Sequence, residues 1–316
     1  MNPKRAAISG AAGFLGAHLA RGFDARGVSV LPLVRAVDGQ SPAGARVLAD
    51  VLADPAILAG TDVFIHSAAV RHRHGVDAAT YRASNVDLVE QAIRASAAAG
   101  VERFLFVSSV GVYGFPQRLP VDEEFTYAPR TSYAGTKVEA EMRARRVARD
   151  LPIELTIIRP TIVYGPGDRN GMLDKMAAMI RAGTYRLVGA GDNVLHHTHV
   201  DDIVEGLWLA STRAEAANDH FILAGPETTT LAELSRHVAR AVATVIDAAA
   251  QQGLAFTTRE PPVNHEKLDN MTLPIAFDIA KARRLLGYAP VVGYDEGVRR
   301  TIRGEWPSLA HAGVAP

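Results

Sequence analysis

Apolar positions along the first two hundred residues fall into short continuous runs, at 6–9, 28–34, 46–48, 63–66, 104–108 and 155–158. Runs of this length predict strands buried on both faces, as in a parallel sheet covered on each side. Between them lie longer helix-like stretches, among them 15–25, 83–99 and 136–149, and a further helix and strand follow at 202–211 and 220–223. The alanine-rich run 95–99 belongs to one of these helices, alanine being the best helix former. Strand and helix in alternation predict an α/β fold, a doubly wound parallel sheet with a smaller C-terminal α/β substrate lobe. The expected division is a first domain at 1–165, to which 196–224 returns, and a lobe made of 166–195 and 225–316. That lobe is expected to supply most of a substrate pocket.

Composition narrows the function classes. The chain has 316 residues, 48% of them hydrophobic, with 34 basic and 34 acidic side chains and no block of one sign. Nucleic-acid or anionic-membrane partners recruited by bulk charge are not expected. There is no cysteine, which removes disulfides, thiol nucleophiles and cysteine metal sites. No apolar run reaches membrane-spanning length, and the opening Met-Asn-Pro-Lys-Arg lacks the pattern of an export signal. A cytoplasmic protein acting on a small molecule is expected.

Gly10-Ala-Ala-Gly13-Phe14-Leu15-Gly16 follows the first strand and opens a helix. In that setting the glycines permit a tight turn and bring backbone amides against a pyrophosphate, which makes the sheet one of the Rossmann type. The second strand ends Leu33-Val34-Arg35, without the acid that would accept from a ribose 2′-hydroxyl. Arg35 instead suits a 2′-phosphate, favouring NADP over NAD, although Asp38 follows three residues later. Asp50 and Val51 are placed either to meet the adenine edge or to form a turn.

Tyr133-Ala-Gly-Thr-Lys137 sets a phenol and an ammonium four residues apart, on one helix face. A neighbouring cation favours phenolate and is expected to lower the tyrosine pKa, making Tyr133 a candidate acid/base. Together with Gly10-x-x-Gly13-x-x-Gly16, His66-Ser67-Ala68-Ala69, Asn85-Val86, Ser108-Ser109, Tyr113-Gly114, Arg159-Pro160, Val163-Tyr164-Gly165-Pro166-Gly167-Asp168 and His199-Val200-Asp201-Asp202, the chain resembles the extended short-chain dehydrogenase/reductase family, also called the NAD-dependent epimerase/dehydratase family. The likeness runs through Leu286-Gly287-Tyr288-x-Pro290 and so covers almost the whole chain.

The resemblance implies that Tyr133 exchanges a proton with a substrate oxygen beside the nicotinamide, while Lys137 holds the nicotinamide ribose. It implies that Ser109 steadies the same oxygen, Ser108 is structural and Asn85 supports the site. Ala68 and Ala69 would let the cofactor lie close, and Pro160 with Val163 would wall it. Dehydratases of the family carry an acidic pair where this chain has Val110-Gly111, which argues against elimination. UDP-sugar epimerases place an arginine where this chain has Leu195, a role for which an arginine such as Arg169, Arg186 or Arg259 could substitute. The resemblance therefore points first to a ketone, 3-oxo-acid or hydroxysteroid-type reductase or dehydrogenase. A nucleotide-sugar epimerase or reductase comes second, and a non-catalytic cofactor-binding regulator third.

Arg71-His72-Arg73-His74 reads as an exposed basic loop or as a receptor for an acidic substrate group. Successive side chains of an extended segment point to opposite faces, so His196, His197 and His199 predict no metal site. Either His196 or His197 is a candidate pocket-lining residue. By resemblance, helices 85–99 and 136–149 pair across a two-fold axis, implying a homodimer.

Overall fold

A computed structural model describes residues 2–71, 75–116, 118–169, 171–187, 189–243 and 273–306. Its centre is a parallel sheet of seven strands: β1 (Arg5–Ser9), β2 (Ser29–Val34), β3 (Arg46–Val47), β4 (Val63–His66), β5 (Arg103–Val107), β6 (Glu154–Pro160) and β10 (His220–Leu223), in the order β10-β6-β5-β4-β1-β2-β3. The order reverses at β1, which pairs with β2 on one side and β4 on the other. In open α/β sheets, ligands bind in the crevice beyond the carboxyl ends of strands at such a reversal. Here Ser9 lies level with His66, His66 with Phe106, and Val107 with Ile158. The residues that leave these strands therefore emerge along one edge.

Two helical layers cover the sheet. On one face α1 (Phe14–Asp24) contributes Leu19 and Phe23, and α7 (Val200–Thr212) contributes Ile203 and Leu207, to a core shared with Ile8, Ile65 and Leu105. The short helix α9 (Ala280–Leu286) adds Ala282 and Leu286 to the same core. On the other face α4 (Leu88–Ala98) and α5 (Ser132–Arg149) bury Val89, Ile93, Ala140 and Ala144 against Phe64, Phe104 and Ile157. Sheet residues alternate between the two cores because successive strand side chains point to opposite faces. A third core gathers Leu173 and Met176 from α6 (Met172–Arg181), Leu234 and Val238 from α8 (Leu231–Ala243) and Val298 from α10 (Tyr294–Arg303).

Several elements differ from the sequence reading. Leu48, taken there as a strand end, begins the short helix α2 (Leu48–Ala53), whose first turn carries Asp50, an acid placed where the helix dipole favours it. The helix expected over 83–99 is broken into α3 (Ala78–Arg82), a π-turn at Ala83–Asp87 and α4. A π-turn is one residue wider than an α-turn, and this one faces Asn85 and Val86 inward. α5 starts at Ser132, ahead of the expected 136, because Thr131 caps it by accepting from the Ala134 amide at 3.0 Å. Tyr133 thus sits in the first helical turn. His72, Arg73, His74 and Arg259 lie outside the described residues.

Candidate active site

The turn after β1 is closed by the Gly13 amide donating to the Gly10 carbonyl at 2.8 Å. Gly10 has φ +75°, and a Cβ there would stand 3.0 Å from the Ala68 backbone. A Cβ on Gly16 would lie 2.1 Å from the Gly10 oxygen, so only glycine fits. The α1 N-cap is Gly13, with no side-chain cap, which leaves first-turn amides of Phe14 and Leu15 facing the crevice with the positive end of the helix dipole. A glycine turn opening on free amides at a helix N-terminus is the arrangement that suits a dinucleotide pyrophosphate. Ala68 and Ala69 lie alongside on the exit from β4, both partly buried.

Further along β2, Arg35 is exposed. Asp38 is held by its own turn, accepting from Gln40 N and Ser41 Oγ at 3.0 Å each. Val51 is buried in the core and Asp50 exposed on α2, so of that pair only Asp50 is open to a ligand.

Beyond β5 the chain makes a single 3₁₀ turn, Val110–Tyr113, capped by Ser109, whose Oγ accepts from the Gly111 amide at 3.1 Å. Its hydroxyl hydrogen remains available to a ligand oxygen. Ser108 points the other way and donates to Glu141 Oε1 at 2.6 Å. Val110 is buried, and Gly111 brings the turn against Ala134 of α5.

Tyr133 is half-buried, and Lys137 is almost fully buried one turn below it. The Lys137 ammonium donates to the Val107 carbonyl at 2.8 Å and stands 5.9 Å from the Tyr133 ring centroid. Contrary to the sequence expectation, the phenol is pushed up to about 12, by burial first, with Arg71 as the opposing charge. Desolvation of the phenolate outweighs the cation's pull. Lys137 is lowered to about 8 by the same burial, against the field of Glu141. Tyr133 is therefore protonated at neutral pH.

Asn85 spans the site's underside. Its Oδ1 accepts from Val70 N at 2.8 Å, and its Nδ2 donates to Val70 O at 3.0 Å and Thr136 Oγ1 at 3.1 Å. Thr136 in turn donates to the Tyr133 carbonyl at 2.7 Å. Asn85 thus ties the β4 exit to the turn bearing Tyr133 and holds position without reaching the reacting groups.

Pro160 ends β6 and is buried, and Val163 lies in β7 (Ile162–Tyr164), level with Thr198 of β9 (His197–His199), while His197 is level with Ile162. A small cleft here is walled by Val163, Asp168, Leu173, His197 and Leu234. His197 is lowered to about 4 by burial and is neutral at physiological pH. His196 does not line that cleft; its ring nitrogens are taken up by Gly225 O and the Phe277 amide at 3.1 Å each. Leu195, in β8 (Val194–Leu195), is packed in the third core, and Arg186 is spent on the carbonyls of Gly183 and Tyr185. A wider cleft at the end of α5, lined by Arg145, Arg149 and Leu151, lies away from this chemistry. Among the described residues no cluster could hold a metal ion and no helix is long and apolar enough to cross a membrane.

The sequence reading missed the support beneath Lys137. Glu141, a further turn down α5, is completely buried and binds the fully buried Arg159 through Nε at 3.0 Å and Nη2 at 2.7 Å. Tyr127 and Ser108 also donate to Glu141, and Arg159 reaches the Tyr113 and Tyr127 hydroxyls. The signal was present as Tyr133, Lys137 and Glu141 at four-residue steps, one stripe of a helix.

A family described as the NAD dependent epimerase/dehydratase family matches residues 6–224. Among curated relatives, the 2-alkyl-3-oxoalkanoate reductase of Stenotrophomonas maltophilia is 28% identical, over 93% of this chain and 97% of that protein. The UDP-glucose 4-epimerase of Vibrio cholerae is 26% identical, over 95% and 94% respectively. Among solved structures, MoeE5 in complex with UDP-glucose and NAD superposes with a TM-score of 0.78 at 22% identity, over 95% of this chain and 98% of that one.

Proposed function

We propose that this chain, an enzyme that belongs to the NAD-dependent epimerase/dehydratase family, reduces the carbonyl of a ketone or 3-oxo acid, or oxidises the matching secondary alcohol. A dinucleotide whose pyrophosphate the glycine cradle would hold would supply or take up the hydride through its nicotinamide. Tyr133 gives the proton to the carbonyl oxygen in reduction and recovers it in oxidation. Ser109 holds that oxygen against Tyr133 through its free hydroxyl hydrogen. Lys137, charged below about pH 8, steadies the negative charge that develops there and would hold the ribose hydroxyls. Asn85 and the Glu141–Arg159 pair fix the helix turn on which both side chains stand.

The observation that carries this reading is that the turn after Ser109 packs on Ala134, the neighbour of Tyr133, while Asn85 and Thr136 tie the Tyr133 turn to the β4 exit, whose Ala68 backbone abuts Gly10. The surroundings support this reaction: Val110 and Gly111 offer no acid for elimination, Leu195 is apolar, and Arg186 donates to the carbonyls of Gly183 and Tyr185, with Arg169 exposed next to Asp168. The relative named as a 3-oxoalkanoate reductase supports the same choice. The second reading, a nucleotide-sugar 4-epimerase or reductase, is favoured by the epimerase relative. For the cofactor, exposed Arg35 and self-engaged Asp38 support NADP, against which stands the NAD held by the structural neighbour MoeE5.

A cytoplasmic homodimer through α4 and α5 belongs to this proposal. Met142, 62% exposed, projects from that surface, and Arg143 beside it pairs with Asp87 at 2.6 Å.

Incubation with UDP-glucose or with 3-oxo acids, with and without reduced cofactor, decides the reaction. Cofactor oxidation by 3-oxo acids with no change in UDP-glucose supports the first reading. Formation of the 4-epimer without added reductant overturns it.

A further inference from the structure

The geometry points to Arg71 as the receptor for a substrate carboxylate, held before binding by Asp168, which the incoming carboxylate displaces. This rests on Tyr133 being the group that meets the substrate carbonyl. Arg71 leaves the β4 exit on an anchored backbone: Asn85 grips Val70 through both amide and carbonyl, and the Tyr81 hydroxyl donates to Arg71 O at 3.3 Å. The guanidinium faces Asp168, a wall of the small cleft, with Nη2 3.7 Å from Oδ1, beyond hydrogen-bond distance. Arg71 is 67% exposed at its side chain and Asp168 only 11%. Asp168 Oδ1 is buried and has no hydrogen-bond partner among the described residues.

A buried acid facing an arginine that does not close on it is a poor ion pair, since the attraction must offset the desolvation of both groups. A ligand carboxylate meeting the guanidinium in two-pronged geometry makes a better one. Asp168, already raised by burial, can take up a proton when Arg71 leaves it. Arg71 is also the charge that opposes the burial of the Tyr133 phenol, which sets its guanidinium within electrostatic reach of that hydroxyl. In a 3-oxo acid the carbonyl and carboxyl carbons are about 2.5 Å apart, two single bonds across one carbon. A nucleoside diphosphate sugar carries its first phosphate several bonds further from a reacting ring carbon.

Binding to the complex with oxidised cofactor, which cannot reduce a ketone, tests this apart from turnover. Acetoacetate and its methyl ester are titrated by calorimetry into wild type, Arg71→Ala and Asp168→Asn. The wild type prefers the acid; Arg71→Ala loses that preference by about ten- to hundredfold, the range of one charge-assisted hydrogen bond. Asp168→Asn strengthens the preference, a gain that a merely structural role of Asp168 would not produce. An acid-to-ester ratio equal in all three proteins overturns the proposal, as does Arg71-dependent binding of UDP without binding of acetoacetate. If acetoacetate binds through Arg71 but no carbonyl compound is turned over with reduced cofactor, the carboxylate site stands and the reductase reading falls.

Discussion

Replacing Arg159 by methionine strands a carboxylate in the interior, and its cost can be bounded from the contacts around it. Arg159 is 1% exposed and Glu141 0%. Breaking a buried pair by removing one partner typically costs about 3–5 kcal/mol, because the remaining charge keeps its desolvation and loses its compensation. Glu141 would retain Ser108 at 2.6 Å, Tyr127 at 2.6 Å and Arg145 at 3.1 Å. Arg145 reaches Glu141 from a partly exposed position, which places Arg159→Met near the low end, about 3 kcal/mol. Glu141→Leu leaves a guanidinium that cannot deprotonate, so about 4–5 kcal/mol is expected. The double substitution removes both charges and should cost no more than either single one. Urea unfolding at pH 7.5 measures all three, and thermal midpoints should fall by about 2 °C per kcal/mol in a chain of this size. Additive costs would refute the reasoning, since charges that compensate each other cannot be lost independently.

A Gly16→Ala protein should lose cofactor binding, measured by nucleotide fluorescence, because its Cβ would meet the Gly10 oxygen at 2.1 Å. Arg35→Ala should weaken NADP by about ten- to hundredfold and NAD little; equal effects on both would dismiss the proposed preference. His66 is fully buried and lowered to about 3 by burial, so the folded chain refuses a proton that the unfolded chain accepts near 6.5. Its contribution is therefore complete above pH 6.5 and falls by about 1.4 kcal/mol per pH unit as pH drops towards 3. Urea unfolding at pH 7.5 and 5.5 should record this loss, and His66→Phe should lessen it. Light scattering should give twice the mass of one chain, and Met142→Glu should shift it towards the monomer.

Most of what positions the site could be read before the structure was known, because it depends on local chemistry. The glycine loop announces itself through positions where a side chain has no room, and the strands through apolar runs that no wet surface tolerates. The helix was recognised over 136–149, but its first turn, from Ser132, rests on Thr131, a cap whose signal is a single hydroxyl. The π-turn at Asn85 has no sequence period of its own, so an uninterrupted helix was the natural expectation. The Tyr133 environment escaped for a different reason: spacing reports that Lys137 is close but says nothing of desolvation, which dominates there. Arg159 and Arg71 were legible as residues but not as contacts, since each meets an acid distant in the chain, Glu141 and Asp168. His196 looked like a pocket residue only while the Gly225 and Phe277 backbone that occupies it was out of view.

Deuterium transfer tests the central claim most directly. With reduced cofactor labelled at the transferring position of the nicotinamide and a 3-oxo acid as acceptor, wild type should place deuterium on the new carbinol carbon. Tyr133→Phe should bind the cofactor as wild type does and transfer deuterium about a hundred- to ten-thousandfold more slowly, the usual worth of a positioned acid/base. Deuterium transfer at an undiminished rate in Tyr133→Phe would contradict the account.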